Sequence, residues 1–304
     1  VPKAPLPIRD GLGPDRLRMP RTSDARTVLE FLVGEFPGEH ELWNALVAAG
    51  DVVDEHGRII SSETPYQPTR FVYFYREPPP EIPVPHEIEI LYRDEQILVI
   101  DKPHFLATIP RGAHIVESAV VRLRRDLHLP DLAPVHRLDR MTAGVIVFTV
   151  TPDLRRPYQE LFAEQKIVKE YEAIAGFDPE LTFPRIVRSR INKVHGEMTA
   201  TEVEGEPNSE TRVELVELLT DSAGSTLGRY RLFPKTGRTH QLRLHLNSMG
   251  IPILGDNYYP NYRPAIPGDF STPLRLLARA LEYPDPITGH TRRFVSTRAL
   301  DQGL

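Results

Sequence analysis

Residues 134–144, Pro-Val-His-Arg-Leu-Asp-Arg-Met-Thr-Ala-Gly, run without a break into Val145-Ile146-Val147-Phe148-Thr149-Val150. No other stretch restricts the fold so much. The apolar, mostly β-branched run predicts a buried strand. The polar segment before it then predicts a loop pinned to one end of that strand, a place where a scaffold holds reacting groups rigidly. Taken alone, Asp139 between Arg137 and Arg140 reads as a carboxylate neutralised by its neighbours on a solvated turn. Partners from elsewhere in the chain would change that reading.

At 304 residues the chain can form one large domain or two modest ones, with ample core. The absence of cysteine excludes disulfides, a cysteine nucleophile and cysteine-bound metals, and agrees with a cytoplasmic protein. No apolar run reaches the roughly 20 residues that span a bilayer, and Val1-Pro2-Lys3-Ala4-Pro5 lacks the apolar core of a secretory signal. The net charge of −5 argues at first against a nucleic-acid partner. Its distribution matters more. Residues 24–63 hold nine Asp or Glu against Arg26 and Arg58, a local −7 that leaves +2 for the rest of the chain. The acidity belongs to one segment, so the remainder can meet a phosphate backbone.

The 30 prolines form no repeat and gather at the start and in connections. Residues 1–23, Pro-rich with Arg9, Arg16, Arg18 and Arg21, predict an extended arm. Residues 24–76 predict a small module: a helix around Val28 to Leu32, a second around Leu42 to Val47 ended by Gly50, a hairpin over 52–60 and a strand at 71–75. This unit resembles a degraded S4-type RNA-binding module, an S4-like α/β fold. Its helices carry Glu30, Glu35, Glu39 and Glu41 where phosphate binding needs Lys and Arg, so a packing or protein-contact role is expected. Residues 77–86, with Pro78, Pro79, Pro80, Pro83 and Pro85, predict a stiff linker.

Residues 87–304 form the large domain. Strands are expected at 87–92, 97–100, 166–174, 211–218, 227–233 and around Phe294-Val295. Helices are expected at 116–128, with Arg122, Arg124 and Arg125 on the exposed side, and at 154–164. Many strands with few, separated helices argue for an α+β domain whose mixed, largely antiparallel sheet is flanked by helices, and against a doubly wound fold.

Residues 234–252 form a second polar cluster, Pro-Lys-Thr-Gly-Arg-Thr-His-Gln-Leu-Arg-Leu-His-Leu-Asn-Ser-Met-Gly-Ile-Pro. A helix is expected there, with Leu242, His245, Leu246 and Met249 on one face, Thr236 or Thr239 as N-cap and Gly250 as the stop. Arg243 lies beside the apolar face and can enter a buried site. His240 and His245 stand five apart, off a shared helical face and without nearby carboxylates, so no metal is expected. His136-Arg137-Leu138-Asp139 is one residue out of step with a kinase catalytic loop, and neither a Gly-rich phosphate loop nor a G-x-S-x-G elbow occurs. What remains is a carboxylate with basic and aromatic company and no cofactor motif.

From about Ile90 onward the chain resembles the RluA-type family of RNA pseudouridine synthases, through motifs in the same order. Asp101-Lys102-Pro103 is similar to the family's strand-end Asn/Asp-Lys-Pro, and residues 136–144 to its His-Arg-Leu-Asp-x-x-Thr-Ser-Gly loop. Lys169-Glu170-Tyr171 is similar to its Lys-x-Tyr, and residues 236–243 to its Thr-Gly-Arg-Thr-His-Gln-Leu-Arg. Leu254-Gly255-Asp256 and Pro286-Ile287-Thr288-Gly289 resemble its closing segments. The chain departs at Ala143, where the family usually has Ser, and at Leu277 and Asp285, where His is common.

The resemblance implies the pseudouridine synthase catalytic fold and a cofactor-free isomerisation of uridine. The N-glycosidic bond breaks, the base turns, and it rejoins through C5. It implies Asp139 as the catalytic carboxylate, Arg243 as its ion-pair partner, and Tyr171 stacked on the base near the C5 proton. Arg137, Arg140 and Arg238 would meet phosphates or brace the loop, with His136, Thr142, Lys235, His240 and Gln241 completing the substrate-binding set. The partner is then structured RNA, rRNA or tRNA, offering a flipped-out uridine to a monomeric enzyme without metal or membrane contact. Basic residues around 122–125 and 185–193 would carry backbone contacts. Two other readings compete. One is a non-catalytic RNA-binding or ribosome-assembly factor on the same scaffold; the other is a hydrolase of free nucleosides, for which only one of the usual two carboxylates is evident.

Overall fold

In the computed structural model residues 4–301 are described. The first three residues of the expected arm and the last three of the large domain lie outside them. The chain divides between Pro80 and Glu81 into two compact units.

The first unit holds β1 (Asp15–Arg18), α1 (Val28–Glu35), α2 (His40–Ala49), β2 (Val53–Asp54) and β3 (Phe71–Phe74). Its strands pair antiparallel in the order β1-β3-β2. Leu17, Val72 and Phe74 share the face that packs with Phe31, Leu32 and Trp43. Residues 15–18, expected in an arm, therefore take the sheet edge: Leu17 finds an apolar neighbour in Val72, and the ladder satisfies the backbone. The Thr27 hydroxyl caps α1 by accepting the Glu30 N–H at 3.1 Å, while the Glu30 carboxylate accepts the Arg26 N–H at 2.8 Å. Gly50, at φ +77, ends α2.

The second unit holds β4 (Glu89–Arg93), β5 (Ile97–Lys102), α3 (Ala119–Leu127), β6 (Ala133–Pro134), β7 (Ala143–Thr149), α4 (Arg155–Ala163) and β8 (Val168–Gly176). After these come β9 (Arg185–Asn192), β10 (Thr201–Val203), β11 (Ser209–Thr220), β12 (Thr226–Pro234), α5 (Gln241–Ser248), β13 (Leu276–Pro284) and β14 (Thr291–Val295). One mixed sheet runs β10-β9-β11-β12-β8-β13-β7-β5-β4, with β14 on β13 and β6 on β7. Of these strand pairs only β7–β13 is parallel, so the sheet is largely antiparallel, as the strand-rich pattern requires. Among the described residues no helix is long and apolar enough to cross a membrane.

Three local expectations need correcting. Residues 81–86 of the expected linker belong to the second unit, where the Glu81 carboxylate accepts the N–H groups of Ile115, Val116 and Glu117 at 2.8, 2.7 and 3.0 Å. Two arginines of α3 turn inward. Arg124 Nε donates to the Leu132 carbonyl at 2.9 Å and Arg122 Nη1 to that of His86 at 3.2 Å, because loop carbonyls beside the helix need donors. Lastly, neither threonine caps α5. The Thr236 hydroxyl already donates to Gln241 Oε1 at 2.7 Å and accepts the Glu210 N–H at 3.0 Å. His240 holds the cap position in a left-handed conformation, φ +55.

Every residue of β7 is buried, as its continuous apolar run demands. Register then brings β7, β13 and β8 together. Gly144 on β7 lies opposite Ala278 on β13, and Ala278 lies opposite Tyr171 on β8. Gly144 sits at φ +115, and a Cβ there would meet the Ala278 carbonyl oxygen at 2.3 Å. Ala143 and Leu277, two of the departures noted above, are themselves register partners and both fully buried, a small and a large apolar side chain filling one cluster. Helix α5 is tied to the sheet by His245, whose Nδ1 lies 2.9 Å from the Thr211 hydroxyl and whose Nε2 lies 3.0 and 3.1 Å from those of Ser209 and Ser189.

Gly144→Ala is expected to destabilise the protein by at least about 3 kcal/mol, since strand backbone has to move. Urea unfolding that matches wild type would refute the register argument. Burial pushes His245 down to about 4, below the roughly 6.5 of an unfolded histidine. The unfolded chain therefore binds the extra proton first, and stability falls as pH drops from about 6.5 to about 4. The loss from this one residue is about 3 kcal/mol. His245→Gln should flatten that part of a stability–pH curve, and an unchanged slope would assign it elsewhere.

Candidate active site

Asp139 lies in the loop between β6 and β7, and its carbonyl accepts the Thr142 N–H at 3.0 Å. The loop is clamped from the end of β5. Lys102 is fully buried, and its Nζ donates to the carbonyls of Pro103 and Leu106 at 2.8 Å each and to that of Arg140 at 3.3 Å. Those three carbonyls take up the three donors of an ammonium, while burial pushes its pKa well below the usual lysine range. The Thr108 hydroxyl donates to the Leu138 carbonyl at 2.8 Å, and His104 Nδ1 lies 2.7 Å from the Met141 carbonyl. Four successive loop residues, Leu138 to Met141, are thus held at the backbone, by these contacts and by the Thr142 turn. The Asp139 side chain keeps 41 % of its surface open.

Arg243 reaches this loop from α5, and it is only 2 % exposed. Its Nη1 stands 3.9 Å from Asp139 Oδ2. The tight partner is another residue. Asp256 takes Arg243 Nε at 2.8 Å and Nη2 at 2.5 Å, a two-pronged contact with a fully buried carboxylate. Asp256 Oδ1 also accepts the N–H groups of Tyr258 and Tyr259 at 2.8 and 3.2 Å. Burial opposes the Arg243 charge, but Asp256, followed by Asp139, holds its pKa above the ordinary value. The Tyr258 ring lies 4.5 Å from the guanidinium carbon and covers it. The expected Asp139–Arg243 pair is therefore the looser half of a triad: Asp256 fixes two prongs, and the third faces Asp139.

His240 Nε2 stands 3.9 Å from the same Asp139 oxygen. Tyr171, on β8, has its pKa raised above the ordinary range by burial and then by the Asp139 charge, so the phenol keeps its proton beside the carboxylate.

A family model of RNA pseudouridylate synthase matches residues 96–248. The chain is 32% identical over 227 residues to the dual-specificity RNA pseudouridine synthase RluA of Haemophilus influenzae, covering 70% of this chain and 94% of that one. It is 34% identical over 212 residues to the RluA of Escherichia coli strain K12, covering 67% and 90%. The chain belongs to the RluA-type RNA pseudouridine synthases. The solved structure of human RNA pseudouridylate synthase domain containing 4 is 26% identical, covers 69% of this chain and 88% of that chain, and superposes with a TM-score of 0.53. That of human RNA pseudouridylate synthase domain containing 1, at 24% identity and a TM-score of 0.56 over 70% and 84%, shares the fold. The family match lies wholly within the second unit of this synthase.

The other residues named from sequence divide by what holds them. Arg137 is exposed and forms no hydrogen bond or ion pair among the described residues, and Arg140 is half-buried with Nη1 donating to the Phe105 carbonyl at 3.4 Å. Thr142 is buried and closes the loop turn. Lys235 and Arg238 are exposed, the latter donating to the Asn208 carbonyl at 3.1 Å. Two of the expected substrate contacts, Gln241 and His136, have their polar atoms engaged inside the domain. Gln241 spends its whole amide inside: Oε1 accepts from the Thr236 hydroxyl and the Arg238 N–H, and Nε2 donates to the Glu210 carbonyl and the Thr211 hydroxyl. His136 stacks on Phe162 at 4.6 Å and accepts the Val147 N–H at 3.3 Å, so it faces its own strand, and burial pushes it down to about 3. Lys102 and Asp256 lie within the Asp-Lys-Pro and Leu-Gly-Asp motifs, and their parts in the site emerge only from the packing around them. The signal in the sequence is the Gly255-Asp256 pair, and the structure explains the glycine: at φ +76 a Cβ there would meet the Pro273 carbonyl oxygen at 2.2 Å.

Asp256→Ala leaves the Arg243 charge buried and uncompensated and should cost about 3–5 kcal/mol. Asp256→Asn keeps the shape but slackens the fork, and kcat should fall roughly a hundredfold while the fold survives. Wild-type kcat in Asp256→Asn would show that Arg243 needs no second carboxylate.

Proposed function

We propose that this synthase isomerises uridine in structured RNA, rRNA or tRNA, through Asp139, with Arg243 orienting the carboxylate and Tyr171 against the base. One observation carries the assignment: Asp139 is the carboxylate of the triad left open, while Asp256 opposite it is sealed. An open carboxylate held beside a guanidinium and a neutral phenol suits attack on the ribose–base linkage, or stabilisation of positive charge developing on the ribose. Tyr171 stays protonated, so it offers a flat ring and a hydroxyl donor to the base. The uridine has to leave its stack to reach the loop, at a cost of a few kcal/mol.

Arg137 and Arg140 flank Asp139 and are assigned to the phosphates on either side of the flipped nucleotide. Arg188 and Arg190, exposed along β9, extend the backbone contacts. Arg188 also pairs with Glu210 at 2.7 Å. Composition without cysteine supports a cytoplasmic setting, and we assign a monomer working without cofactor or metal. Among the described residues no group of three His, Asp or Glu could hold a metal ion.

Mapping pseudouridine by chemical derivatisation in a deletion strain identifies the target RNA. On that RNA, Asp139→Asn is expected to lower tritium release from 5-tritiated uridine by roughly a thousandfold or more, with the melting transition unchanged. Full conversion by Asp139→Asn would overturn the assignment, and equal complementation by Asp139→Ala and wild type would favour a non-catalytic factor.

A further inference from the structure

His240 has one ring nitrogen whose role the neighbouring hydrogen bonds decide. The Tyr259 hydroxyl lies 2.8 Å from the Ala200 carbonyl and accepts the Ala200 N–H at 2.9 Å. A phenol has a single proton, and two bare oxygens at that separation repel, so the proton lies on the line to the Ala200 carbonyl. His240 Nδ1, 3.0 Å from the same hydroxyl oxygen, is then the donor. Burial lowers the pKa of His240 in spite of the Asp139 charge, so the ring is neutral and Nε2 carries a lone pair.

This bare Nε2 faces Asp139 Oδ2 across 3.9 Å and has no hydrogen-bond partner among the described residues. Two acceptors therefore look into one gap, and a group that fills it has to donate. The ring is held in this orientation by the Nδ1 contact to the Tyr259 hydroxyl and by Tyr258 and Tyr259, which pack against it at 5.1 and 5.8 Å between ring centres.

We propose that His240 Nε2 accepts a hydrogen bond from the 2′-hydroxyl of the target ribose, so that this residue distinguishes RNA from DNA at the modified uridine. The assignment rests on the reading that Asp139 works at the ribose–base linkage. The 2′-hydroxyl is borne by the carbon next to that linkage, which makes it the ribose donor nearest Asp139. It is also the group that a deoxyribose lacks. The left-handed cap of α5 thereby gains a purpose, since it delivers an imidazole from the first position before the helix into the gap beside Asp139.

The probe is a synthetic RNA stem-loop carrying the mapped uridine, with either a ribose or a 2′-deoxyribose at that one position. Wild type is expected to convert the ribose form faster under single-turnover conditions, and the ratio of the two rates is the readout. His240→Asn keeps the left-handed backbone but is too short to span the gap, and should shrink that ratio on the order of tenfold. His240→Gln, which retains an acceptor at greater reach, should recover part of it. Long-range nitrogen-15 spectra of the RNA-free protein should show the His240 Nδ1–H tautomer with Nε2 unprotonated. An unchanged ribose-to-deoxyribose ratio in His240→Asn, or a protonated Nε2, overturns the inference. Persistent conversion by Asp139→Asn instead overturns the reading beneath it, while the tautomer is measured independently.

Discussion

Arg243 carries a permanent charge into a position that is 2 % exposed, and a charge there has to be met by a partner of opposite sign and by hydrogen bonds. Asp256 supplies both through two prongs, and the Tyr258 ring covers the face. Much of the site follows from that requirement. With Nε and Nη2 committed to Asp256, Nη1 is left to face Asp139, whose carboxylate meets the guanidinium without being sealed by it. Asp139 keeps a large open surface, while Asp256, the tight partner of the arginine, is sealed.

Rigidity comes from a different source. Lys102 spends its whole ammonium on three carbonyls around the β5 end and the Asp139 loop, and Thr108 and His104 hold the residues on either side of the Asp139–Arg140 pair. Sheet register does the rest. Gly144 permits β13 to pair parallel with β7 at contact distance, and Tyr171 follows one strand further on. A loop gripped at its carbonyls and a phenol placed by strand register together give a site with little freedom to relax, which suits chemistry that depends on orientation.

The first unit separates its charges in a way that its net acidity conceals. Glu30, Glu35, Glu39 and Glu41 lie on or beside the helices, whereas Arg16 and Arg18 on the edge strand stand over the Phe71 ring at 5.4 and 5.8 Å. Part of the acidity is architectural, since Glu30 caps α1. Charge counting along the chain could not distinguish a capping carboxylate from a surface one.

The strand at β7, the helix at α5 and the α+β character were legible in the sequence, because each depends on local periodicity within one segment, whereas a basic partner for Asp139 from a distant segment was implied only by the family resemblance. What the tertiary structure alone decided is which polar side chains face the gap and which are used up inside. His136 and Gln241 sit in the same motifs as Asp139 and Arg243, yet both turn into the body of the domain, where β7, β11 and the Arg238 turn offer them partners. Asp256 and Lys102 took on their roles for the same reason in reverse. A buried charge is placed by the atoms that surround it, and those atoms come from segments far apart in the chain.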